Sequence, residues 1–516
     1  MQIGRPTYDY DPALPDHPTI IHSLAETAAR VPDRTAIIAG DRSITFAQYL
    51  RAVAGYAATL AERGVAGGRV VLLMGNGIEV AVASLAAMAA GAQAAPMNAM
   101  FPAKALVPLV KDVDPTVIVC DAMTAELARG VAKEAGVGHV DVFAPDALSI
   151  EAWIDDASLT LPQPMPGPDD RSLLFFTGGT TGLPKAADHI HANEMAYCKA
   201  ANTVWPVKRD EDVILMVAPN FHIWGFCYSA VTPVYLGATV DFLPAYVPEV
   251  ILKRFEENKV TVFAGGPAAL YVGLMANENF ATTDFSSLRL CLAGGSPCPE
   301  ALLERWEAAT GCAMLEGWGM SEGSPINMNP VDGVRKAGSV GPMLPRTEAD
   351  IVDLETGTKV LPQGERGEIR LRGPQFITGY RNRPEDNKET FRDGWLYTGD
   401  IGRFDEDGYL YLVDRKKEMI LVGGYNVYPR EVDEVLNAHP AVMEAATIGV
   451  PDAFRGEAVK ACVALKPRAE ATAEELIAHC QEHLVKYKVP AEVEFFDALP
   501  KTGPAKIDKL KLKGLR

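Results

Sequence analysis

Up to about residue 400, short apolar β-type runs alternate with helical patterns, and this rhythm narrows the available folds more than any other feature. Val70-Val71-Leu72-Leu73-Met74 precedes an alanine-rich stretch, and Thr116-Val117-Ile118-Val119-Cys120 precedes a second helical pattern. Residues 213–217, 260–264 and 288–292 repeat the arrangement, the last ahead of a helical pattern over 299–310. Strands that alternate with helices predict doubly wound α/β layers, because each helix covers a sheet face. After Gly338 the texture changes to short strands and turns over 349–353, 367–371 and 408–413, a β-rich subdomain.

A chain of 516 residues is too long for one ordinary core, so more than one domain is expected. From about residue 418 a smaller α+β unit follows, with helical patterns over 430–437 and 472–484 and strands over 442–448, 458–465 and 492–496. The cluster Asp414-Arg415-Lys416-Lys417-Glu418 lies between the two. A charge run of this kind is a solvated face or, at such a junction, a hinge. The expected organisation is a large domain over 1–413 (β-rich from about 338), a hinge at 414–417 and a small mobile domain over 418–516.

With 48% hydrophobic and 22% charged residues the composition is that of a globular protein. A net charge of −18 argues against nucleic acid or an anionic membrane as the main partner. The eight cysteines form no Cys-x-x-Cys pair, as expected of packed thiols in a reduced, cytoplasmic compartment. The first 18 residues carry no secretory signal pattern. Residues 80–96 are apolar enough to suggest a membrane span, but their small residues, Gly91 and Gln93 predict a buried core helix instead.

Chemistry concentrates first in Thr177-Gly178-Gly179-Thr180-Thr181-Gly182-Leu183-Pro184-Lys185, directly after the apolar run Leu173-Leu174-Phe175-Phe176. Glycines let successive backbone N–H groups face one side and form an anion nest, to which hydroxyls and a lysine add donors. Read alone, such a cluster is equally an ordinary turn. The P-loop pattern requires Gly-Lys-Ser/Thr, so a phosphate loop here is of another kind.

Further along, Pro219-Asn220-Phe221-His222-Ile223-Trp224-Gly225 places a histidine and aromatics after a predicted strand. Gly317-Trp318-Gly319-Met320-Ser321-Glu322 combines close-approach glycines with a hydroxyl and a carboxylate suited to Mg²⁺ beside phosphates. Tyr397-Thr398-Gly399-Asp400 ends in an aspartate at an expected turn, a cap or an acceptor for a ribose diol. Pro500-Lys501-Thr502-Gly503-Pro504-Ala505-Lys506 carries lysines on a C-terminal segment.

Taken in order, these segments, with Gly408 to Arg415 and Gly423 to Pro429, resemble the motifs of the acyl-adenylate-forming superfamily, which includes acyl-CoA synthetases, adenylation domains and firefly luciferase. The resemblance runs from about residue 20 to the end. It implies that Thr177, Gly178, Gly179, Thr180, Thr181 and Lys185 hold the β- and γ-phosphates of ATP. Glu322 and Thr181 would attend Mg²⁺, with Ser321 near the phosphates. Gly295, Ser296, Glu316, Gly317, Trp318 and Gly319 would surround adenine, and Asp400 and Arg415 the ribose. Lys506 matches the lysine that bridges carboxylate and α-phosphate. His222 would gate the acyl pocket, Lys417 would sit at the hinge, and Gly423, Gly424 and Tyr425 would line the tunnel for coenzyme A.

The implied activity is ATP-dependent ligation of a fatty or aromatic carboxylic acid to CoA through acyl-AMP. Loading of a carrier protein, a luciferase-like oxygenation, and an inactive acyl-nucleotide-binding protein are the alternatives. Two departures bear on backbone freedom. Ala186 and Ala187 stand where the family has a glycine after the loop lysine, and Ala505 where it has one before the catalytic lysine.

Overall fold

Two large sheets realise the predicted alternation. In spatial order, the first runs Gly323–Met328, Met314–Met320, Leu290–Gly294, Val262–Gly266, Val213–Met216, Thr239–Phe242, Thr35–Ala39, Arg42–Thr45. Its inner pairs are parallel and its two edge strands antiparallel. The second runs His139–Phe143, Val117–Asp121, Arg69–Leu73, Gln93–Pro96, Arg171–Phe176, Ala186–Ile190. It is parallel except for its last strand. Both belong to one compact unit, residues 1–348 and 372–396. The structure is a computed structural model and describes all residues except 1–3, 7, 178–183, 297, 453, 502–506 and 515–516.

The helix Ile78–Ala89 is buried at every position but Glu79, which explains a sequence that is apolar all round. It does not run on to residue 96 as expected. Gly91 turns the chain at φ +73°, and Gln93–Pro96 enters the second sheet as a strand. The glutamine side chain is satisfied there, its Nε2 donating to the Leu173 carbonyl (2.8 Å) and to Asp188 Oδ1 (2.7 Å). Among the described residues no helix is long and apolar enough to cross a membrane. All eight cysteines are buried and free.

The second unit comprises residues 349–371 and 397–516. One of its sheets places Gly367–Arg372 between Glu348–Val352 and Trp395–Phe404, with Leu410–Arg415 paired antiparallel to the last. Another orders Tyr425–Val427, Ile420–Val422, Gly456–Leu465 and Val442–Asp452, with Glu492–Phe495 parallel to Gly456–Leu465. The helices Pro429–Ala438 and Ala473–His483 bury Val432, Leu436, Leu476 and Cys480 against Val459, Ala461 and Val463. The expected classes, doubly wound α/β, β-rich and α+β, are all present.

Candidate active site

Parallel strands of the first sheet deliver the motifs to one edge. Val213–Met216 leads to Asn220 and His222, Leu290–Gly294 to Gly295 and Ser296, and Met314–Met320 to Ser321 and Glu322. The carboxyl ends of such strands are where open α/β sheets bind ligands, because the chain must leave the sheet there and loops diverge. Asn76, just beyond the strand Arg69–Leu73 of the other sheet, holds this edge. Its Nδ2 donates to the Ala218 carbonyl (3.0 Å), and its Oδ1 accepts from the Asn220 N–H (3.1 Å).

Thr177 and Lys185 form the neck of the hairpin between Arg171–Phe176 and Ala186–Ile190. The Thr177 N–H donates to the Lys185 carbonyl (2.8 Å) and the Lys185 N–H to Thr177 Oγ1 (3.3 Å). Gly178, Gly179, Thr180 and Thr181 lie outside the described residues. Ala186 and Ala187 are buried strand residues, and neither has a positive φ, so no left-handed backbone is required of them.

Beyond the neck, Lys185 Nζ lies 2.6 Å from Asp386 Oδ1 and 5.1 Å from the centroid of the Tyr380 ring. The Tyr380 hydroxyl donates to Glu322 Oε1. One aromatic ring therefore carries the loop lysine on its face and the motif carboxylate on its hydroxyl.

Backbone bonds set this arrangement. Tyr380 bridges Ala187, the Arg381 N–H donates to the Ala186 carbonyl (2.9 Å), and the Ile377 N–H donates to the Glu322 carbonyl (2.9 Å). From the loop strand, His189 Nε2 donates to the Ser321 carbonyl (2.8 Å). Burial pushes this imidazole down to about 4, so it is neutral near pH 7. Burial, reinforced by the Glu322 charge, raises the Tyr380 phenol well above its ordinary value and keeps it a donor. Glu322 itself is buried at the tip of the hairpin Met314–Met320/Gly323–Met328. A buried carboxylate needs donors or cations, and its hard oxygens suit Mg²⁺.

The glycines around Trp318 answer to protein packing. A Cβ on Gly317 would stand 2.8 Å from the Trp205 ring, and one on Gly319 would stand 2.2 Å from Ser324 Oγ. Trp318 is itself a buried residue of the strand. Glu316, also buried, accepts the Cys298 N–H at Oε1 (3.3 Å), and Ser296 Oγ accepts the Ala268 N–H (3.3 Å). His222 caps the short helix Ile223–Phe226, its ring 4.7 Å from that of Phe221. Half-buried Trp224 donates its indole N–H to the Ala264 carbonyl (3.2 Å) and lies 5.0 Å from the Tyr228 ring. Its ring carbons are 3.5 Å from where a Cβ of Gly294 would stand.

In the second unit Asp400 lies within the strand Trp395–Phe404, not at the expected turn. Arg415 is its cross-strand partner, with Nε 2.5 Å from Asp400 Oδ1. Gly423 and Gly424 form the two-residue turn between Ile420–Val422 and Tyr425–Val427, with φ of +58° and +86°. Positive φ at both positions favours glycine strongly. Exposed Tyr425 stacks on Tyr487 at 4.7 Å. Lys506 and Ala505 lie outside the described residues; Lys501 and Ile507 on either side pair in an antiparallel bridge.

Tyr380, Asp386 and Asn76 were not among the residues expected from sequence. Gly379-Tyr380 in a polar stretch was the only signal for the first, and nothing local marked the others.

Comparison with known proteins agrees with this architecture. Residues 24–381 match the AMP-binding enzyme family and residues 431–506 the AMP-binding enzyme C-terminal domain. The chain is 34% identical to a long-chain-fatty-acid–CoA ligase of Bacillus subtilis, covering 96% of this chain and 94% of that protein. It is 35% identical to a feruloyl-CoA synthase of an Amycolatopsis species, covering 93% and 95%. The crystal structure of ATP-bound MatB from Rhodopseudomonas palustris superposes with a TM-score of 0.89 at 31% identity, over 96% of this chain and 98% of that one. With both domain models matched and relatives similar over nearly their whole lengths, the chain belongs to the AMP-binding enzyme family, as an enzyme of the acyl-CoA synthetase type.

Proposed function

We propose that the chain is an ATP-dependent ligase that joins an apolar carboxylic acid, fatty or aromatic, to CoA through an acyl-adenylate. The observation that carries this reading is the meeting of Lys185 and Glu322 on the Tyr380 ring. A cation from the glycine-rich loop and a buried carboxylate beside it are what a nucleotide polyphosphate with its metal requires.

In the first half-reaction a substrate carboxylate oxygen attacks the α-phosphorus of ATP, the bond to the bridging oxygen breaks, and pyrophosphate leaves with the electron pair. Positioning and charge neutralisation dominate such a step. Lys185 and the loop over 177–181 hold the departing phosphates, and Lys506 offsets the repulsion between carboxylate and α-phosphate. Glu322 with Thr181 would hold Mg²⁺, general to the family, which would supply further charge neutralisation when bound. Asp400 and Arg415 take the ribose, and Ser296, Glu316 and Trp318 surround the adenine. In the second half-reaction the CoA thiol gives its proton to solvent, its sulfur bonds to the acyl carbon, the acyl C–O bond to the phosphate breaks, and AMP leaves with the electron pair. Gly423, Gly424 and Tyr425 are assigned to the tunnel for CoA, His222 to the gate of the acyl pocket, and residues 414–417 to the hinge between the domains over 1–413 and 418–516.

Trp224, Phe226, Tyr228 and Met320 supply the apolar side chains of the acyl pocket, which favours a fatty or aromatic acid over a dicarboxylate. The eight buried free thiols support a cytoplasmic location. Acid-dependent AMP formation with CoA, measured over short, medium, long and aromatic acids, tests the proposal. Adenylation of none of them, or turnover only with a phosphopantetheinyl carrier protein, would overturn it.

A further inference from the structure

A second ligand cluster lies in the C-terminal part of the chain, on residues that are assigned no part in the reaction. His479, Glu482 and His483 share one face at the end of the helix Ala473–His483, and one ligand atom from each lies within 4.8 Å of the others. Positions separated by three and four residues face the same way on a helix, so two imidazoles and a carboxylate converge.

The surroundings favour a metal. His479 Nε2 lies 3.0 Å from the Val435 carbonyl, which only accepts, so Nε2 is the donor and the lone pair of the neutral ring is on Nδ1. A ring N–H donated to a carbonyl is the usual support behind a metal-bound histidine, because it fixes tautomer and orientation. The cluster borders a groove between this helix and Pro429–Ala438, also lined by Glu434, Ala438 and Lys488. The Lys488 ammonium is engaged by Glu431, so it is not aimed unpaired at a bound cation. His439, whose ring is 5.1 Å from that of His479, accepts the Ala441 N–H at Nδ1 (3.3 Å) and is not counted as a ligand.

We propose that His479, Glu482 and His483 form a binding site for a transition-metal dication of the zinc class. Two imidazoles and one carboxylate match the donor preference of Zn²⁺, Ni²⁺ or Cu²⁺, whereas Mg²⁺ prefers all-oxygen sites. Three protein ligands beside an open groove leave a coordination position for water or an incoming ligand. With all three ligands on one helix, the ion would staple the last turn of Ala473–His483.

The test uses the full-length protein, freed of metal by chelation and without ATP, titrated with Zn²⁺ by calorimetry and with Co²⁺ by visible absorption. The expected result is one saturable equivalent of Zn²⁺, weakened about tenfold or more in Glu482→Gln and His483→Ala. Mg²⁺ should not compete, and pyrophosphate exchange at saturating Mg²⁺ and ATP should be unchanged in the variants. His479→Ala also loses the bond to Val435, so exposed His483 is the decisive position if that variant fails to fold. Zn²⁺ binding unchanged in His483→Ala and Glu482→Gln, or no saturable binding by the unmodified protein, overturns the proposal.

Discussion

Tyr380→Phe removes one hydroxyl, the donor to Glu322 and a partner of the Thr390 side chain. The ring stays, so the Lys185 ammonium keeps its aromatic face, while the hydroxyl donated to Glu322 is lost. Glu322 is 6% exposed and Tyr380 7%, so solvent does little to replace that donor. A hydrogen bond to a charged group contributes about 1.5–3 kcal/mol net, and a carboxylate that loses it while buried bears much of the desolvation cost. Two outcomes follow from that magnitude. The urea midpoint falls, and half-saturation by Mg²⁺ in ATP–pyrophosphate exchange rises about tenfold or more, because a misdirected Glu322 must be reoriented by the ion it would hold. Tyr380→Leu, which removes the ring as well, should add a rise in the KM for ATP through Lys185. If Tyr380→Phe lowers the urea midpoint but leaves Mg²⁺ dependence within twofold of the unmodified enzyme, the contact serves the fold alone. Assigning Glu322 to the metal on this geometry would then be refuted.

Trp224→Ala removes the indole that packs over Gly294 and makes room for a longer acyl chain. At about 0.8 kcal/mol per buried methylene, kcat/KM for an acid two carbons longer should rise ~15-fold relative to the original best substrate. An unchanged profile in a folded, active variant would remove Trp224 from the pocket. Lys506→Ala should slow adenylation by roughly 10²–10³-fold or more, the usual cost of a lost preorganised charge, and an unaltered exchange rate would sink that role. A pH effect belongs to Glu194, which is buried with one oxygen accepting from Ser172 and has its carboxyl pushed up to about 8 by burial. Its folded value lies above its unfolded one, so the stability it lends is complete below about pH 4.5 and is lost as pH rises towards 8. Glu194→Gln should therefore resist urea better than the unmodified protein at pH 8, with the gap closing at pH 5. Parallel pH dependence in the two proteins would show that Glu194 is not held neutral.

The frame was legible because its signals are local. Continuous apolar runs such as Val70-Val71-Leu72-Leu73 became inner parallel strands. Misreadings arose where a local signal had a distant cause. The alanine run was expected to stay helical to residue 96, but the strands carrying Leu173 and Asp188 supply partners for Gln93 that a helix could not offer. Gly317 and Gly319 read as close-approach positions beside a nucleotide, and on their Cβ side it is Trp205 and Ser324 that approach. A glycine records that something approaches closely and does not record what.

Tyr380 shows the complementary blind spot. Its part in the site comes from backbone pairing with Ala187, from the Ile377–Glu322 bond and from His189 reaching Ser321, contacts that join segments far apart in the chain. None of these leaves a periodicity or a spacing in the sequence. The motif residues Lys185 and Glu322 were recognisable because their chemistry is written in their own neighbourhoods. The residue that brings them together was not, because its chemistry exists only once the strands have paired. Substitutions that disturb that pairing, such as a proline at Arg381, whose N–H reaches Ala186, would uncouple the lysine from the carboxylate while leaving both in place.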